Sequence, residues 1–77
     1  MLTEGKVKAE ILKLCREELG RDITDLKVEE RDYLFWVKIG DHYARIERRH
    51  ITEYMRGDRN GTGKVGILMA LINSRRK

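Results

Sequence analysis

Residues 26–47 alternate apolar and polar side chains with a period of two, and two polar dipeptides, Arg31-Asp32 and Gly40-Asp41, interrupt the alternation. Few arrangements satisfy both facts. Strand side chains point to opposite faces in turn, so a one-residue slip of register would move every apolar group to the wrong side. A two-residue turn at Gly40-Asp41, with glycine first as a type II′ turn prefers, pairs Val37 with Ala44 and Phe35 with Ile46. A two-residue turn at Arg31-Asp32 pairs Val37 with Leu26 and Phe35 with Val28. Both registers put Leu26, Val28, Phe35, Val37, Ile39, Ala44 and Ile46 on one face. The pattern predicts a three-stranded antiparallel meander whose third strand covers residues 42–49.

Helical spacing brackets this sheet. Val7, Ile11, Leu14, Cys15 and Leu19 form a stripe, widened by Leu12, with Thr3 as N-cap and Gly20 as a left-handed C-terminal cap. A helix over residues 4–19 follows. Ile51, Tyr54 and Met55 suggest a short helix beginning at His50 or Thr52 and stopped by Gly57. Residues 64–73 read as a helix because Leu, Met and Ala favour one, with an apolar fourth strand over residues 65–72 as the competing assignment. The expected fold class is α+β, in the order α-β-β-β-(short α)-α, with the helices packed on one face of the sheet. A chain of 77 residues suits one small domain, residues 1–77.

Charge is unevenly placed. Residues 1–44 hold eight Lys/Arg against ten Asp/Glu, while residues 45–77 hold nine against three. Such asymmetry suits an anionic partner, most often nucleic acid. The single cysteine excludes an internal disulfide, and neither a signal-peptide pattern nor an apolar run of membrane-spanning length is present, so the expected setting is cytoplasmic, with no membrane partner.

The second face of the sheet carries Asp25, Lys27, Glu29, Leu34, Trp36, Lys38, Tyr43, Arg45 and Glu47. Trp36 lies opposite Arg45, and Lys38 opposite Tyr43. Aromatics beside cations on an open sheet are the means by which single-stranded nucleic acids are held, bases on rings and phosphates on cations. A cross-strand cation–π pair, or coverage by a second subunit, accounts for the same residues without nucleic acid.

The segment 56–66 contains several recognisable triplets, and none fits its usual chemistry. A P-loop ending at Gly63-Lys64 needs glycine at Asp58 and a hydroxyl residue at Val65. A calcium loop starting at Asp58, Asn60 and Thr62 needs a bidentate glutamate where Met69 stands. Asn60-Gly61-Thr62 and Arg56-Gly57-Asp58 have no role in the expected compartment. What remains is a glycine-rich entry to a helix, with Thr62 as its N-cap and Lys64 near an anion-favouring helix start. No nucleophile–base pair and no His/Cys ligand spacing emerge, so neither enzyme, metal nor cofactor is expected.

The order helix, three antiparallel strands, helix resembles the double-stranded RNA-binding domain, whose size is similar. Gly61-Thr62-Gly63-Lys64 looks like the glycine-rich loop and basic start through which that family enters its second helix. Val65-Gly66-Ile67-Leu68 departs from the family's second lysine and alanine-rich helix, and residues 50–60 are foreign to it, so the likeness is one of topology. The leading expectation is a small non-enzymatic module that binds RNA or DNA or acts in regulation. Trp36, Lys38, Tyr43 and Arg45 would form its stacking surface, and Arg48, Arg49, Arg56, Arg59, Lys64, Arg75 and Arg76 its phosphate contacts. The rival is a homodimeric interaction module joined through Leu68, Met69 and Ile72, or through Leu34 and Trp36.

Overall fold

A computed structural model of the chain describes residues 2–57 and 61–76. The elements run α1 (Glu4–Leu19), β1 (Leu26–Arg31), β2 (Leu34–Ile39), β3 (His42–Glu47), α2 (Arg48–Met55), α3 (Thr62–Ile72) and β4 (Arg75–Arg76). The fold is α+β, with the expected helix, antiparallel meander and C-terminal helices. All strands belong to one sheet of order β1-β2-β3-β4. The two-residue β4 was not foreseen, because Arg-Arg carries no strand signal.

α1 forms for the reasons its sequence offers. The Thr3 hydroxyl accepts from the Lys6 N–H at 3.2 Å, and Gly20 ends the helix at φ 63°. The stripe Val7, Ile11, Leu14 and Cys15 is fully buried against the sheet. The second hairpin is also as read: Phe35 faces Ile46, Val37 faces Ala44, and Gly40 takes φ 58°, the left-handed backbone that a type II′ turn needs at its first position.

The first hairpin differs. Its turn is Asp32-Tyr33 rather than Arg31-Asp32, so Leu26 pairs with Ile39 and Val28 with Val37. The register moves by two residues, which preserves parity, and the apolar face survives intact. Asp32 and Tyr33 both adopt positive φ, 55° and 63°, as a type I′ turn demands. Aspartate tolerates that region. A tyrosine there costs roughly 1–2 kcal/mol.

β3 ends at Glu47, two residues before its expected limit, and Arg48 and Arg49 open α2 instead. Residues 65–72 are helical; α3 starts two residues before its expected limit and ends one before it, with Gly61 rather than Thr62 as N-cap. Its glycines explain its place. A Cβ on Gly63 would stand 2.7 Å from the His50 carbonyl oxygen, and one on Gly66 would run into the His50 ring. Both glycines therefore let α3 lie directly on α2.

One core unites these elements. Phe35, Val37, Ala44 and Ile46 of the sheet meet Val7, Ile11 and Leu14 of α1, Ile51 and Tyr54 of α2, and Ile67 and Leu71 of α3. Burying Phe35 alone stabilises the fold by roughly 1.5–3 kcal/mol. α3 is apolar all round yet only partly buried, since Val65, Met69 and Ile72 stay 56%, 52% and 61% exposed. No helix among the described residues is long and apolar enough to cross a membrane.

Candidate functional site

The helices cover one face of the sheet and leave the other open. The cross-strand pairs Lys27–Lys38, Glu29–Trp36 and Arg31–Leu34 join β1 to β2 on that open face. Lys38–Tyr43, Trp36–Arg45 and Leu34–Glu47 continue it across β3. Trp36 sits at its centre, one residue from the fully buried Phe35 and pointing the opposite way.

Two guanidinium groups flank the Trp36 ring. The Arg45 Cζ lies 5.6 Å from the ring centroid and the Arg31 Cζ 4.7 Å from it. The Lys38 ammonium stands 5.8 Å from the Tyr43 ring. These are cation–π contacts, each worth roughly 0.5–1 kcal/mol at an exposed site. Directly beside them, Lys27 and Lys38 face each other across β1 and β2. Like charges so placed repel, by up to ~1 kcal/mol. The Trp36 Nε1–H is buried and has no acceptor among the described residues. A donor left in that condition costs roughly 1–3 kcal/mol.

Trp36, Lys38, Tyr43 and Arg45 are thus brought together, as their alternation predicts. The outer cations are not all gathered with them. Lys64 bonds Glu18 of α1 at 2.6 Å and belongs to the helical side. Arg48 pairs with Glu30 on β1. Arg49 donates from Nε to Glu47 at 2.9 Å. Arg56 lies just past α2 and lines a surface groove. The backbone of Arg75 pairs with Tyr43, and that of Arg76 with His42, so β4 extends the sheet beside β3. Arg59 lies outside the described residues.

Three contributors were missed. Lys27 stands on the expected face but was not among the expected contacts, and the two-residue change of register puts it opposite Lys38; Arg31 joins the strand because the turn lies on Asp32, a residue that accepts left-handed backbone. The alternation places Tyr33 at the start of the second strand. It is instead the tip of the first hairpin, 87% exposed. The groove beside it has a volume of about 640 Å³ and runs between the hairpin tip, Leu34 and Glu47 at the end of the open face, and the α2 residues Arg49, Thr52 and Glu53.

Among the described residues no group of His, Cys, Asp and Glu converges as a metal site. Cys15 is buried in the core, and burial pushes its thiol above the ordinary value, partly offset by Arg21. No protein-family model, curated protein or solved structure matches the chain. The site therefore has to be read from its own chemistry.

Proposed function

We propose that the open sheet face binds nucleic acid, with no catalytic step. The observation that carries this reading is the cluster of Lys27, Arg31, Lys38 and Arg45 around the half-buried rings of Trp36 and Tyr43. Four cations on one small surface, two of them paired lysine against lysine, gain energy when an anion arrives. The two rings are diagonal neighbours across β2 and β3, about 7–8 Å apart at their backbone. Phosphates would draw the guanidinium groups off Trp36 and open its ring to a base. Glu29 and Glu47 weaken the positive field, and the salt bridge from Arg49 to Glu47 partly offsets that.

Titration of fluorescently labelled RNA and DNA oligonucleotides tests the reading. Affinity falls with salt, with a log–log slope of about −3 if four phosphates of a single strand are neutralised. Trp36→Ala and Arg45→Ala weaken it. Absent or salt-insensitive binding would refute the proposal.

A second reading has its own observation. Val65, Met69 and Ile72 are three of the four exposed large apolar side chains among the described residues, and they share one side of α3. A homodimer through that stripe would cover them, with Leu68 left half-buried against the core. Sedimentation at micromolar concentration decides it: a monomer removes this reading.

A further inference from the structure

The turn at Asp32-Tyr33 holds a second, unexplained feature next to the open face. Turn chemistry asks for glycine or asparagine at the second position of a type I′ turn, and this chain has tyrosine at φ 63°. Its ring does not repay that conformation by burial, because it is 87% exposed. Strained backbone that holds an exposed side chain in place is a pointer to function.

The surroundings indicate what the ring would meet. Tyr33 and Leu34 form the apolar side of this wide, open groove. Arg48, Arg49 and Arg56 stand there beside Asp32, Glu47 and Glu53, three charges of each sign, with Arg48 paired to Glu30 outside the groove, and Thr52 adds a hydroxyl. The groove is therefore neutral, while the adjoining sheet face is cationic. A phosphate favours the sheet and gains little in the groove. An uncharged, flat group with hydrogen-bonding edges suits the groove: a ring to stack on, with donors and acceptors beside it. A nucleobase has that chemistry. Leu34 and Glu47 belong to both surfaces, so they are continuous.

We infer that Tyr33 and its groove take an unpaired base from a single strand whose phosphates lie on the open sheet face. This rests on the nucleic-acid reading of that face and narrows it. A duplex keeps its bases paired and stacked, out of reach of a hairpin tip, whereas a single strand can splay one base from the sheet into the groove.

The test is a set of variants at Tyr33, each assayed for thermal unfolding and for binding of a labelled eight-nucleotide single strand and of the matching duplex. Tyr33→Gly relieves the turn and removes the ring, so it should raise the unfolding midpoint while weakening single-strand binding roughly 5- to 150-fold, the worth of one stacked base. Tyr33→Asn, which also accepts left-handed backbone, should do the same, and Tyr33→Phe should keep the affinity. A Tyr33 with no part in binding predicts a glycine variant that is stabilised in the same way yet binds as before, and that result overturns the inference. Duplex binding as tight as single-strand binding also overturns it and leaves the sheet reading standing. Wild-type protein that binds neither probe removes both.

Discussion

Phe35 and Trp36 are adjacent in β2, and the two have opposite fates. Phe35 is wholly buried among three helices, where shape decides which side chain fits. Trp36 looks outward between Arg31 and Arg45, and carries a buried N–H with no acceptor among the described residues. The covered face is internally satisfied. The open face holds repelling lysines, cations resting on rings and, at its end, a tyrosine in strained backbone. Stability resides on one side of the sheet, and unmet chemistry accumulates on the other.

The contrast predicts that substitutions on the two faces separate by phenotype. Phe35→Ala should have the largest effect on folding, a loss of about 3–5 kcal/mol in chemical denaturation. Gly63→Ala comes next: the new Cβ meets backbone atoms of α2 that cannot swing away, so overpacking of about 1–3 kcal/mol outweighs the helix-propensity gain. Gly66→Ala should be milder, since the atoms in its way belong to the His50 side chain, which can swing to another rotamer, and not to backbone. Trp36→Ala inverts the pattern. It should cost binding about 1–3 kcal/mol while lowering stability much less than Phe35→Ala does, because Trp36 is only half-buried and its loss also removes a buried N–H that has no acceptor among the described residues. If Trp36→Ala unfolds the protein as Phe35→Ala does, the division between the faces is wrong.

The smallest expected effect concerns pH on the covered side. Cys15 has its folded-state pKa raised above 9.0 by burial. A raised acid favours the neutral thiol in the fold, so its contribution is fully present below the unfolded value and is lost as pH climbs through the folded one. Denaturation midpoints should therefore decline on the alkaline side, and Cys15→Ser should flatten that decline. Native alkylation of the thiol at neutral pH should be slow.

The faces of the sheet were legible in the sequence because parity survives an error of two residues. The turn that caused the error was not, since Asp-Tyr lacks the glycine that marks a type I′ turn. That single misplacement hid Arg31, the nearer of the two guanidinium groups on Trp36. The glycine-rich segment misled for a different reason. Its residues suggest loops that cradle ions, while Gly63 and Gly66 allow a helix to approach a helix, a fact set by tertiary packing. Lys64 likewise gave no sign that Glu18, far away in sequence, would claim it.

The most direct measurement is an amide and indole shift titration of the labelled protein with short single-stranded RNA and DNA. The open-face account predicts that the Trp36 indole N–H moves first, together with Arg31, Lys38, Tyr43 and Arg45, while the shifts on α1 and α3 stay small. Shifts confined to Val65, Met69 and Ile72, or no shifts with either nucleic acid, would contradict it.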